Sequence, residues 1–147
     1  MQISSRFTIA IHVLTAIDVF QDWMKTTSEL LASSVHTNPV VIRRILQQLK
    51  AADMIEVARG SGGAKLKKEP DQITLFDIYC AVDCVERGDL FRFHDNPNIE
   101  CPVGRNIHAV LDGKLMEIQT AFENEMKKTT LADILLETKQ LITKEEK

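Results

Sequence analysis

The residues with the plainest chemistry are three arginines. Arg43 and Arg44 are neighbours inside PVVIRRILQQLKA, and Arg59 opens the run Arg59-Gly60-Ser61-Gly62-Gly63. A guanidinium is a planar fork of donors that fits a guanine edge or a phosphate through two parallel hydrogen bonds. Smaller groups around the arginines suit the same polyanion. Thr37 and Asn38 precede the helix start, where side chains and free N–H groups meet phosphate oxygens. Val40 suits a thymine methyl, Gly60 lets a backbone come close, and Ser61 and Lys65 can brace the turn on phosphates. Two arginines on a helix face usually only keep it solvated, and a glycine-rich turn is usually only a turn. It is the order and spacing of the whole set that points to double-stranded DNA. The Gly-Ser-Gly-Gly run is no nucleotide loop, because it lacks the Gly-Lys-Ser/Thr ending and no helix follows it.

The remaining reactive residues say less. Cys80 and Cys84 are four apart, on one side of a predicted helix, and could offer two ligands to a soft metal, but no third ligand joins them. Small residues packed beneath a neighbouring helix are the simpler reading. Cys101 sits beside a predicted helix N-terminus, where the macrodipole lowers a thiol's pKa, and is the candidate redox sensor. His94 and His108 read as hydrogen-bonding surface residues. Asp77, Asp83 and Glu86 form carboxylate pairs with no nucleophile or metal set beside them, so neither an enzyme, a metal site nor a cofactor is expected.

These groups need elements to hold them. Ser4 or Ser5 caps a first helix with a stripe of Ile9, Val13, Ala16, Ile17 and Phe20. Thr26 with Glu29 reads as a capping box opening the short helix SELLASS. Asn38 caps the next helix and Pro39 fits its first position. Along Pro39 to Ala51, Ile42, Ile45, Leu46 and Leu49 share one sector, while Val40, Arg43, Arg44 and Gln47 point away. Met54-Ile55-Glu56-Val57 and Ala64-Lys65-Leu66 flank the glycine turn as a hairpin. Helix, short helix, turn, helix and hairpin make a winged helix-turn-helix over residues 1–68.

Residues 69–147 read as a helical dimerisation and sensing region. Thr74 and Asp77 start a helix running to about Glu86 with Leu75, Ile78, Val82 and Val85 as its apolar side. Residues 88–101, broken by Gly88 and Pro97, read as a flexible loop. From Pro102 to about Lys127 a long stripe of Val103, Ile107, Val110, Ile118 and Phe122, flanked by Leu111 and Leu115, exceeds what so small a domain can cover, so a second copy is expected on it. Thr130 and Asp133 cap a last amphipathic helix.

The chain has 147 residues, 44% hydrophobic and 27% charged, which suits a folded domain rather than a disordered chain. Its net charge of −3 hides an asymmetry, since residues 1–68 carry nine Lys/Arg against five Asp/Glu and residues 69–147 nine against sixteen. Three cysteines do not make a disulfide scaffold, and there is neither a membrane-length apolar run nor a secretory leader, so the expected location is cytoplasmic. An adaptor whose winged helix no longer reads DNA, docking a protein through the acidic half, is the alternative; a small-effector pocket at residues 88–101 is compatible with either.

ISSRFTIAIHVL, SELLASSVHTNPVVIRRILQQLKAADMIEVARGSGGAKL and DQITLFDIYCAVD together resemble the Rrf2 family of bacterial transcriptional regulators. The likeness is close over residues 1–83 and looser along the long helix, and its most specific piece is the Arg59–Gly63 wing followed by Ile73-Thr74-Leu75. The resemblance implies a homodimeric regulator, read here as a repressor, with crossed long helices on a roughly palindromic operator. It also implies DNA-facing positions for Asn38, Val40, Arg43, Arg44, Arg59 and Ser61. Lys65 stands where many relatives carry an aromatic residue. Cluster-binding relatives place three cysteines before and at the start of the dimer helix, and some add a histidine three residues on; this chain has Cys101 alone there, and Gly104 at the histidine position. The expectation is the branch without an iron–sulfur cluster.

Overall fold

The computed structural model describes residues 3–60, 62–82 and 90–147. Among these residues six helices and one hairpin follow in order: α1 Ser5–Phe20, α2 Ser28–Val35, α3 Pro39–Ala51, β1 Ile55–Val57, β2 Ala64–Leu66, α4 Leu75–Val82, α5 Pro102–Met126 and α6 Leu131–Glu145. A single 3₁₀ turn at Pro70–Gln72 leads from the hairpin into α4. The fold is mainly α with a two-stranded antiparallel wing, as its sequence pattern implies.

The α1 helix begins behind Ser4, whose hydroxyl accepts from the Arg6 N–H. It is the axis of the core. Ala10, Val13, Leu14, Ala16 and Ile17 are all buried, whereas Ile9 and Phe20 of the expected stripe are only partly so. The buried sector is wider than one stripe because α2, α4, α6 and β2 all pack on α1.

The start of α2 corrects the capping-box expectation. Thr27, not Thr26, is the N-cap, its hydroxyl accepting from the Leu30 N–H at 3.3 Å. Thr26 is buried and committed elsewhere, because its hydroxyl donates to the Ala64 carbonyl and its own carbonyl accepts the Ala64 N–H at 3.0 Å. A residue spent on fastening the wing cannot also cap a helix. His36 closes α2 in the left-handed region (φ 65°), and Asn38 then caps α3 through a 2.8 Å bond from the Val40 N–H. The α3 helix buries Ile42, Ile45, Leu46 and Leu49, the four residues that its spacing selects.

Ile55 pairs with Leu66, Glu56 with Lys65 and Val57 with Ala64. Met54 precedes the strand rather than opening it. It is buried, and its carbonyl accepts the Lys67 N–H at 3.0 Å.

Two capping arrangements sit back to back where α4 and α6 begin. The Thr74 hydroxyl accepts from the Asp77 N–H while Asp77 accepts from the Thr74 N–H, and Thr130 with Asp133 repeats the pattern. The Leu75 N–H donates to Thr129 at 3.0 Å and the Leu131 N–H to Ile73 at 2.8 Å, so the two helix starts are bolted together. Ile73, Ile78, Val82, Leu131 and Leu135 thereby join the same core cluster as α1 and α3. The expected extension of α4 to Glu86, with Asp83, Cys84 and Val85, lies outside the described residues.

At 25 residues, α5 is about 38 Å long. It rests on α4 near its C-terminal end, where Phe122 meets Tyr79 edge-on at 6.1 Å and Gln119 and Met126 are buried. Along the rest of it Val103, Val110 and Ile118 are 69%, 60% and 54% exposed. Among the described residues no helix is long and apolar enough to cross a membrane.

Candidate nucleic-acid interface

The outward side of α3 is polar apart from Val40, which is 61% exposed, and Ala51 at its end. With the four buried residues centred on one sector, Val40, Arg44, Gln47 and Ala51 lie nearest the opposite side, and Arg43 and Lys50 fall on the flank toward α2 and the wing. Arg44 and Gln47 are exposed. Asn38 is exposed beside Val40, and Thr37 is half-buried with its N–H donating to Ala32 at 3.0 Å.

Arg43 is not free. Its Nη2 donates to Glu29 Oε1 at 2.8 Å. The Glu29 carboxyl is held below its ordinary range first by its backbone N–H, then by Arg43 and by the Ser28 hydroxyl. Positions 29 and 43 stand 14 apart, so only the packing of α2 on α3 brings them together. In the sequence Glu29 reads only as a capping residue; no linear signal gives it a partner.

The wing is pinned at its base and open at its tip. Gly63 has φ +76°, and a Cβ there would stand 2.8 Å from the Thr26 backbone nitrogen. Gly60 has φ +74° with nothing within 4 Å, as suits the open tip of a turn. Arg59 and Lys65 are exposed. Ser61 lies outside the described residues. Between the start of α2, the flank of α3 and the wing runs a recess of about 450 Å³, lined in part by Glu29, Arg43, Gln47, Lys50, Val57 and Gly60. The α3 helix and the wing thus border one concavity, with Lys50 as an added cation that the outward stripe of α3 does not single out.

The segment leading into α5 is held against it. Cys101 is the α5 N-cap and is exposed, and N–H groups of Gly104 and then Val103 hold its thiol below the usual range. At Gly104 a Cβ would lie 2.3 Å from the Asn98 carbonyl oxygen, so only glycine lets the loop pass this close. One turn on, His108 bonds Asp112 at 3.0 Å through Nδ1 and the His94 carbonyl at 3.1 Å through Nε2, with the His94 ring stacked 5.2 Å away. Both ring nitrogens face acceptors, which favours the protonated ring that can donate to both, and the His108 pKa is raised, chiefly by Asp112. His108 is therefore a hydrogen-bonding residue, as expected, while His94 contributes its carbonyl and a stacked ring. Cys80 is exposed on α4 rather than packed beneath α5, and partial desolvation, then Asp77 and Glu123, push its thiol up. Cys84 lies outside the described residues.

Comparison with known proteins agrees with this arrangement. The Rrf2 family model, described as an iron-dependent transcriptional regulator, matches residues 3–137. The helix-turn-helix-type regulator named YwnA, from Bacillus subtilis (strain 168), is 44% identical over 133 residues, covering 90% of this chain and 96% of that protein. A crystal structure named for a DNA-binding protein superposes with a TM-score of 0.71 at 41% identity, over 89% of this chain and 99% of its own. The cysteine regulator CymR of B. subtilis (TM-score 0.65, 18% identity, 92% of this chain and 96% of its own) shares the fold.

Proposed function

The chain belongs to the Rrf2 family and is a DNA-binding transcriptional regulator rather than an enzyme, and from that premise we propose that it works as a homodimeric repressor occupying a roughly palindromic operator. In this reading α3 enters the major groove, where Val40, Arg43 and Arg44 meet base edges, and Thr37 and Asn38 meet phosphates at its start. Arg59, with Gly60 and Ser61, enters the adjacent minor groove. The observation that carries the reading is the shared recess between α3 and the wing, bordered by Arg43, Lys50 and Gly60.

The second subunit is argued from α5. Val103, Val110 and Ile118 stand exposed along one helix, and a second copy crossing them would remove that surface from water and set two recognition helices a fixed distance apart. Cys101 at the head of α5 supports thiol sensing, and the recess of about 430 Å³ lined by Phe93, His94, Arg105 and His108 supports a small effector acting on the same helix.

The family description names iron, and the donor set here does not fit an iron–sulfur cluster. Such a cluster takes four ligands, mostly thiolates. Among the described residues Cys101 is the one thiol at the start of α5, no group of three His, Cys, Asp or Glu is placed to hold a metal, and the Asn98 backbone rests where a ligand side chain at position 104 would project.

The test is fluorescence anisotropy on genomic fragments enriched by the purified protein, at several salt concentrations. Operator fragments should bind at least a thousandfold more tightly than random duplex. Arg44→Ala and Arg59→Ala should each cost more on operator than on random DNA, and Ile118→Asp should sediment as a monomer and lose operator binding. Equal affinity of the parent for operator and random DNA would overturn the reader. A parent that sediments as a monomer while still binding operator tightly would overturn the dimer.

A further inference from the structure

We propose that Glu29 is a positioning residue for DNA readout, holding Arg43 for a base edge and keeping it from clamping phosphates indiscriminately. The proposal rests on the reading of α3 as the recognition helix.

Glu29 and Arg43 meet at 2.8 Å with side chains 65% and 54% exposed. An ion pair so open to water contributes little to folding; the first turn of α2 accounts for a carboxylate at position 29 but not for its bond to Arg43. The place is also the wrong one for a carboxylate if the face only had to attract DNA. Glu29 lines the same recess as Arg43, Gln47 and Lys50, on the surface that would approach a polyanion. Its charge is firmly maintained by its backbone N–H, by Arg43 and by Ser28. A fixed negative charge there weakens attraction to any duplex alike and leaves the ratio of operator to random binding unchanged, so what it adds to discrimination comes through its hold on Arg43.

The geometry of Arg43 explains what is gained. On α3 it lies about 70° from the middle of the outward side, on the flank facing α2. Unrestrained, a long side chain at that azimuth would sweep across the phosphates bordering the groove. The single bond to Glu29 uses one of the two N–H groups on Nη2, and the guanidinium has five in all. Whichever of the two is used, one two-donor edge of the fork, Nη1/Nη2 or Nε/Nη2, keeps its pair for guanine O6 and N7, while the carboxylate restrains the fork. Glu29 need not touch DNA to do this. It acts on base readout through Arg43, and its effect on discrimination should disappear when Arg43 is absent.

A double-mutant cycle tests this with the parent, Glu29→Gln, Arg43→Ala and the double variant, on operators in which each base pair of a half-site is replaced in turn. Glu29→Gln should tighten binding to random duplex and lower discrimination at one base pair per half-site about tenfold, leaving the other positions as they were. In the Arg43→Ala background the same substitution should leave discrimination unchanged. Thermal unfolding of Glu29→Gln should stay close to the parent's, which separates positioning from folding. Full discrimination by Glu29→Gln would overturn the proposal, as would a double variant less selective than Arg43→Ala alone, since Glu29 would then be contacting a base itself. If Arg43→Ala alone reads every base pair as the parent does, the assignment of Arg43 as a base contact fails first, and the proposal with it.

Discussion

Gly63→Ala is the sharpest test of how the wing is held. An L-residue at φ +76° costs about 1–2 kcal/mol. The added methyl would also stand 2.8 Å from the Thr26 nitrogen and 3.1 Å from its carbonyl carbon and oxygen, all backbone atoms. Relief requires lifting the hairpin off the α1–α2 connection. That lengthens the Ala64 N–H bond to Thr26 (3.0 Å) and the Thr26 hydroxyl bond to Ala64. With each such bond contributing about 0.5–1.5 kcal/mol net, the whole penalty is about 3 kcal/mol. For a chain of this size that lowers Tm by about 6–12 °C. Gly60→Ala is the control, because it has nearly the same φ (+74°) with open space around it. Its cost is the backbone part alone, and the entropy that alanine removes from the unfolded chain is common to both variants and cancels in the comparison. The two should differ by about 2 kcal/mol in urea unfolding at one fixed protein concentration, with equal m values. Gly63→Ala should also lose operator affinity, since Arg59 travels with the displaced strand. Equal stability of the two variants would refute the steric argument, and with it the claim that Thr26 fixes the wing.

Other expectations concern the head of α5. Cys101 should be alkylated at neutral pH faster than Cys80, because N–H donors lower its thiol pKa while desolvation and carboxylates raise the other; peptide mapping after a brief iodoacetamide pulse measures this. If Cys101 is the sensor, peroxide should weaken operator binding by the parent and leave Cys101→Ser unaffected. His108 has a raised pKa in the folded chain, so its contribution to stability is fully present below the unfolded value near 6.5 and is lost as pH rises through the folded one. Its imidazole resonances should accordingly titrate above 6.5 in the parent and move down in Asp112→Asn; an unshifted titration would remove the Asp112 contact from the account.

Much of the local structure is written in short patterns. Asn38-Pro39 sets the start of α3, and the Ile42, Ile45, Leu46, Leu49 spacing decides which side of it is buried. Thr130 and Asp133 set the start of α6 in the same way. The misplaced start of α2 is instructive, since Thr26 and Thr27 are chemically the same cap. What separates them is Ala64, 38 positions away, which takes the Thr26 hydroxyl for the wing. The breadth of the α1 core likewise depends on α6 returning to cover it, with Lys139 reaching Asp18 at 2.6 Å.

The sequence by itself determined the order of helices, the hairpin and which side of α3 carries the cations, because capping, turn chemistry and the 3.6-residue period act within a few positions of one another. It also determined that α5 carries a long apolar stripe, of which Val103, Val110 and Ile118 stand exposed. Only the tertiary structure decided that Glu29 meets Arg43, that Thr26 anchors Gly63 and Ala64, and that the Asn98 backbone fills the space beside Gly104. Each of those contacts joins separate segments of chain, and its geometry depends on how whole elements pack, a quantity that no local spacing encodes.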